Sequence, residues 1–215
     1  METIMRSSAV KSTMLDLDWS VQTVLPIEFH GRELTLEARA YQGEDPNSQA
    51  MALVNRGVGA QASATPIVRV HSGCVTGDIF HSLRCDCYRQ LQEAMKVIVD
   101  TPNGVLIYLP YHEGRGIGLV NKIRAYALQD QGVDTVDANV QIGAPIDARD
   151  YGLAADILFD LGFAEIKLLS NNPAKVEALR AEGIKVVEQV PVITEPHLYN
   201  KRYLETKRVR MAHKL

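Results

Sequence analysis

The period of the hydrophobic pattern changes along the chain. The segment from Thr23 to Val54 reads as strands, in the apolar-rich runs TVLPIEF (23–29), ELTLEARAY (33–41) and AMALVN (50–55). His30-Gly31 and Asp45-Pro46-Asn47-Ser48 supply turn residues between them. GVGAQASATP (57–66) reads as a small-residue loop, and after it the rhythm becomes strand, helix, strand. The strand-like runs are IVRVH (67–71), VLIYL (105–109), IKLLS (166–170) and IKVVE (184–188). Between them apolar residues recur at helical spacing: Leu91, Met95 and Ile98; Leu119, Ile123 and Tyr126; Leu153, Ile157 and Leu161; Val176 and Leu179. The pattern predicts an α/β fold, a three-layer mixed sheet with helices on both faces, preceded by a small N-terminal β region. Residues 1–20 read as a flexible leader and 21–215 as a single domain. The closing stretch, NKRYLETKRVRMAHKL, reads as a basic amphipathic helix or tail.

Composition narrows the class. The 215 residues are 46% hydrophobic and 23% charged, an ordinary soluble globular balance with enough chain for one sizeable core. No apolar run reaches the roughly 18 residues a membrane helix needs, and the N-terminus has no apolar secretory core, so no membrane partner is expected. The formal net charge of −3 disfavours a general nucleic-acid binder. An anionic ligand would need local cations, and Arg69, Arg84, Arg115, Lys122, Arg124, Arg149 and Lys175 are available.

Cysteine usage changes the picture most. The three cysteines, Cys74, Cys85 and Cys87, are spaced C-x10-C-x-C. They cannot pair off as disulfides, and free thiolates suit a reducing, cytoplasmic setting. Clustered thiolates are donors for a soft divalent metal, zinc above all. With three protein ligands the fourth tetrahedral position stays open to water, and the metal makes that water acidic enough to attack an electrophilic carbon. The alternative is a closed structural site with His71 or His81 as fourth ligand.

Three further segments carry polar chemistry. Glu113-Gly114-Arg115-Gly116-Ile117-Gly118 lies at a strand-to-helix turn, where glycines let backbone N–H groups approach an anion and Arg115 adds a bidentate fork; a plain tight turn is the alternative. Asp147-Ala148-Arg149-Asp150 reads as a helix start with Asp147 as N-cap and Asp150 at the third helical position, leaving Arg149 near a positive helix end. In Ser170-Asn171-Asn172-Pro173-Ala174-Lys175 a strand ends, Asn172 caps a helix, and the Ser170 hydroxyl and Lys175 offer a second anion cradle. By itself Tyr126 reads as core packing and Gln90 as a surface glutamine.

Together, Arg69-Val70-His71-Ser72 leading into the cysteine cluster, Thr76-Gly77-Asp78 inside it, Glu113-Gly114-Arg115, the run NKIRAYALQDQG (121–132) and Ser170-Asn171-Asn172-Pro173 resemble GTP cyclohydrolase II, from about Leu25 to the C-terminus. The resemblance implies a zinc-dependent hydrolase that opens the imidazole ring of GTP after water attack at C8. Formate and pyrophosphate would leave, giving 2,5-diamino-6-(5-phosphoribosylamino)pyrimidin-4-one for riboflavin biosynthesis. It implies one zinc per chain on Cys74, Cys85 and Cys87, magnesium on the nucleotide phosphates, and a homodimer. Arg69, Val70, His71, Ser72, Gln90, Glu113, Gly114, Arg115, Thr135, Ser170 and Lys175 match its GTP-contacting positions. Asp147 matches its proton acceptor, Arg149 the residue proposed to attack the α-phosphorus, and Tyr126 the tyrosine tied to completing ring opening. Arginine is almost always protonated, so an electrostatic clamp is the rival role for Arg149.

The chain departs from the family pattern at four places. Gly73 replaces a glutamate, Pro110-Tyr111-His112 precedes Glu113 in place of Arg-Gln, Tyr88 replaces a glycine, and Ser170 replaces threonine while keeping the hydroxyl. Two other readings stay open. One is a divergent paralogue that acts on another purine nucleotide or stops at the formamidopyrimidine; the other is a non-catalytic, zinc-stabilised nucleotide-binding module.

Overall fold

The computed structural model describes residues 19–57, 65–195, 198–200, 205 and 209. Most of the expected leader, of the 57–66 loop and of the C-terminal stretch therefore lies outside the described residues.

Seven strands form one mixed sheet in the order β1-β2-β3-β5-β4-β6-β7. The alternating N-terminal segments form β1 (Ser20–Phe29), β2 (Arg32–Gln42) and β3 (Gln49–Val54), and the remaining runs form β4 (Ile67–Ser72), β5 (Val105–Leu109), β6 (Glu165–Leu169) and β7 (Lys185–Val190). Pairing is antiparallel from β1 through β2 and β3 to β5, and parallel from β5 through β4 and β6 to β7. Local connection explains the division. His30 and Gly31 take left-handed φ values of 51° and 73° and close a tight hairpin. The later strands are joined by helical crossovers, which give parallel neighbours.

Both faces of the sheet are covered, as the pattern predicts. Val105, Ile107 and Leu109 of β5 enter the larger core, under α6 (Gly152–Asp160) and α7 (Pro173–Ala181). Leu106 points to the other face, where Ala94, Met95 and Ile98 of α2 (Cys87–Asp100) pack. Each fully buried Ile or Leu in these layers contributes about 1.5–3 kcal/mol relative to exposure. Among the described residues no helix is long and apolar enough to cross a membrane.

One helix differs from its hydrophobic pattern. In α4 (Gly118–Asp130), Leu119 and Ile123 are 42% and 47% exposed, while Lys122 and Ala125 face inward. A buried lysine wins the inner face because a carboxylate and a sulfur wait there for it.

The layout sets the site. Strands β5, β4 and β6 are adjacent and parallel, so their C-terminal ends open along one edge. Residues just beyond those ends meet in the crevice where α/β sheets bind ligands.

Candidate active site and metal centre

Cys74 follows β4 and caps the short helix α1 (Val75–Asp78), where its sulfur accepts a hydrogen bond from the Gly77 N–H at 3.3 Å. Cys85 precedes α2 and Cys87 opens it, which brings all three sulfurs within 4.8 Å of one another. The Cys74 and Cys85 sulfurs are 3.7 Å apart. Ligands at about 2.3 Å around a tetrahedral zinc would be about 3.8 Å apart. Gly77 is needed here, since a Cβ would sit 3.0 Å from both the Cys74 and Cys85 sulfurs. The donor set and its spacing fit zinc.

Neither histidine joins this group. His71 Nε2 lies 3.2 Å from both Asp78 carboxylate oxygens, and its ring stacks on Tyr108. The same carboxylate accepts from the Cys74 N–H and the Tyr108 hydroxyl, so His71 buttresses the loop carrying Cys74. Burial, outweighing the Asp78 hydrogen bond, holds the His71 pKa below its usual value. His81 is exposed and stacks on Tyr88, with ring centroids 3.9 Å apart. Hydrogen bonds from Cys85 and Cys87, followed by the Lys122 charge, push the Cys74 thiol far down. The Cys74 sulfur in turn raises the Cys85 thiol to about 11 and drives Cys87 upward. Binding a metal would release whatever thiol protons the three cysteines still carry.

Beside it lies a buried ion pair. Lys122 Nζ donates to Glu113 Oε1 at 2.6 Å and to the Cys74 sulfur at 2.9 Å. Glu113 also accepts from the Val75 N–H at 2.6 Å and the Gly114 N–H at 3.0 Å. Its carboxylate is therefore spent inside the protein and does not line the cleft. Burial would lower the Lys122 pKa, but the thiolate and carboxylate outweigh it and hold the group charged.

The turn between β5 and α4 is bent further than its sequence suggests. A one-turn 3-10 segment at Pro110–His112 leads into α3 (Glu113–Gly116), which is broken by left-handed φ values of 61° at Gly114 and 64° at Arg115. A Cβ at Gly116 would meet the Ala148 carbonyl at 3.0 Å, and the Ala148 N–H donates to the Arg115 oxygen at 2.9 Å. Positive φ at a non-glycine residue clusters at functional sites; here the Ala148–Arg115 hydrogen bond ties this turn to the loop bearing Arg149.

That loop is not a helix start. Helix α6 begins at Gly152 with Tyr151 as its cap, so Asp147 caps nothing and Arg149 is not helical. The reason is local: Asp147 accepts from the Arg149 N–H and from Nε at 2.8 Å, and grips NH2 as well. Burial would raise the Asp147 carboxyl, but the Arg149 fork outweighs it and holds it below the usual range. Arg149 also reaches the Ser72 hydroxyl at 3.4 Å. Asn172 does cap α7, accepting from the Ala174 N–H at 3.0 Å, with Pro173 at the first helical position. Lys175 is buried with Nζ donating to the Val70 carbonyl at 2.6 Å.

Arg69 and Gln90 come together at the far wall. Arg69 donates to Gln90 Oε1 at 2.7 Å and to the Leu169 carbonyl at 3.0 Å, and Gln90 passes a hydrogen bond to buried Asp86 at 2.6 Å. Gln90 is therefore a link in a chain rather than a surface residue. The Arg84 guanidinium lies 4.4 Å over the ring of Tyr126 and fixes its orientation.

One cleft collects most of these groups. Of the sequence-predicted residues, Arg69, His71, Ser72, Cys74, Cys85, Cys87, Gln90, Gly114, Arg115, Tyr126, Thr135 at the start of α5 (Thr135–Gln141), Arg149, Ser170 and Lys175 line it; buried Val70 and Glu113 stand behind it, and exposed Asp147 does not line it. Five lining cations (Arg69, Arg115, Lys122, Arg149 and Lys175) suit a polyanion in a chain whose net charge is −3.

The family model described as GTP cyclohydrolase II matches residues 19–191. The chain belongs to the GTP cyclohydrolase II family. It is 46% identical over 93% of its length to a Streptomyces coelicolor protein named GTP cyclohydrolase-2, of which it covers 87%. It is 47% identical over 90% of its length to the GTP cyclohydrolase-2 of Archaeoglobus fulgidus. The corresponding figures are 46% and 91% for the riboflavin biosynthesis protein RibBA of Salinispora tropica. The chain spans about half the length of these last two relatives.

Two residues of this family member stand outside the predicted site residues, although Lys122 is among the cations named for an anionic ligand. Lys122 lies one helical turn before Tyr126, a signal hidden by the more apolar neighbours Leu119 and Ile123. His112 is 1% exposed, with Nδ1 3.3 Å from the Ser72 hydroxyl and its ring edge-on to Tyr151. Burial first, and then the Arg149 and Lys175 charges, lower the His112 pKa from 6.5 to about 3. Between those values the unfolded chain binds a proton that the folded chain does not, so stability falls as pH drops through this window. His112 alone contributes a slope of at most about 1.4 kcal/mol per pH unit. Denaturant melts at pH 7 and pH 5 should therefore show a larger loss for the wild type than for His112→Asn; equal losses would refute the assignment.

Proposed function

We propose that the chain hydrolyses GTP at the imidazole ring, releasing formate and pyrophosphate and leaving 2,5-diamino-6-(5-phosphoribosylamino)pyrimidin-4-one, a first step of riboflavin biosynthesis. The observation that carries this reading is the placement of a three-thiol cluster of zinc dimensions in the same cleft as five cations. Cys74, Cys85 and Cys87 would hold one zinc, and bound zinc supplies Lewis acidity and a water reactive at neutral pH.

The chain's own groups divide the remaining work. Arg115, Arg149 and Lys175, with the Ser170 hydroxyl, bind the triphosphate, with magnesium carried on the phosphates rather than in an all-protein cage. Arg69, held by Gln90 and Leu169, fixes the nucleotide from the β4 side. His71 from the cleft wall and Glu113 from behind it hold the Cys74 loop. Asp147 aligns Arg149 against the α-phosphate. Tyr126 offers its hydroxyl to the opening ring as a proton donor or acceptor. The free thiols fit a cytoplasmic setting, and a homodimer accompanies the family reading.

The test is incubation of the purified, zinc-loaded protein with GTP and magnesium, followed by mass analysis of every product. Formate and pyrophosphate in equal amounts, with the diaminopyrimidinone, are expected. Intact formamidopyrimidine nucleotide would favour the paralogue that stops early, and no turnover of any purine nucleotide would overturn the reading.

A further inference from the structure

We infer that Lys122 is a positioning residue of the metal centre: its ammonium, aimed by Glu113, donates a hydrogen bond to the Cys74 sulfur and so limits the charge this ligand gives the metal. The inference rests on the proposed zinc reading and deepens it.

The geometry is built in one direction. Glu113 is fixed first, by the Val75 and Gly114 N–H groups on either side of its carboxylate. Lys122 then bridges Glu113 at 2.6 Å and Cys74 at 2.9 Å from the inner face of α4. Both side chains are 8% exposed. A buried ion pair of this kind is weak evidence for stability, because well-packed apolar side chains often do as well or better. A lysine at this position therefore calls for a reason other than folding. Three thiolates around one divalent ion make an anionic centre, and strong sulfur donation weakens its pull on a bound water. Hydrogen bonds to ligand sulfurs withdraw that donation, which is how proteins tune metal centres through groups outside the coordination sphere.

The test uses the protein loaded with cobalt(II) in place of zinc, as wild type and as Lys122→Met, Lys122→Arg and Lys122→Gln. The sulfur-to-cobalt charge-transfer band reads the charge on sulfur directly. In Lys122→Met the band is expected at lower energy, zinc is held against a chelator at least as tightly, and formate release from GTP falls roughly 10–100-fold. Lys122→Arg, which keeps a cationic donor, should return the band toward the wild-type position. A purely structural lysine predicts the reverse: an unmoved band with weaker zinc retention, and that result overturns the inference. If Lys122→Met does not fold, Lys122→Gln, a neutral and weaker donor that can still reach Glu113, must move the band the same way by a smaller amount; an unmoved band there overturns it equally. No charge-transfer band in the wild-type cobalt protein would bring down the thiolate-metal reading itself, and this inference with it.

Discussion

Cys85→Ser should abolish formate release from GTP, a fall of roughly 10³-fold or more, as expected when a Lewis acid worth several kcal/mol is lost. The Cys85 sulfur is buried 3.7 Å from Cys74, where a serine oxygen is a harder, shorter-reaching donor that leaves two thiols to hold the ion. The fold should survive. The two apolar layers that hold the sheet are built mainly from β-strand, α2, α6 and α7 side chains and include none of the three cysteines. Metal content, formate release and a thermal melt on one preparation read all of this together. Retained formate release without zinc would refute a catalytic metal, and a collapsed melt would assign the metal a structural role instead.

Arg149→Met should lower pyrophosphate release by roughly 10²–10³-fold, the range for removing one charged donor from a developing oxyanion. The geometry favours a clamp over a nucleophile. Asp147 grips the guanidinium through Nε and NH2 while its own carboxyl is held low, so both groups stay charged. A guanidinium so paired has no free lone pair for attack on phosphorus. Arg149→Lys should therefore keep part of the rate, because an ammonium can still stabilise charge without the fork. Rapid quench followed by intact-mass measurement distinguishes the roles: no nucleotide adduct is expected on the wild type, and an adduct mapped to Arg149 would establish the nucleophile.

Short-range order was legible where one period dominated. The runs at 67–71 and 105–109 became β4 and β5 because their β-branched and apolar side chains suit strands covered on both faces, with Arg69 and His71 the polar exceptions. Asn172-Pro173 started α7 as read, since a cap and a first-turn proline act within three residues. Two readings of the same kind failed because a side chain found a partner the pattern does not record. Asp147 looked like a cap, but Arg149 two residues later took its carboxylate and the helix began at Gly152. Leu119 and Ile123 looked like the buried face of α4, but Lys122 turned inward to Glu113 and Cys74.

The candidate site divides along the same line. Cys74, Cys85 and Cys87 were readable from spacing alone, because they lie within fourteen residues and metal donors need only come close. Sequence also sufficed for the layered α/β class, since alternation and helical spacing are properties of neighbours along the chain. It could not place Glu113 behind the cleft, join Gln90 to Arg69, or lay Lys122 against a cysteine 48 positions away. Those relations depend on β4, β5 and β6 lying parallel so that their ends open together, and on the directions in which side chains leave the backbone there. Burial, charge pairing and the loss of water act through space, so only the folded chain decides which polar groups face the cleft and which hold the others in place.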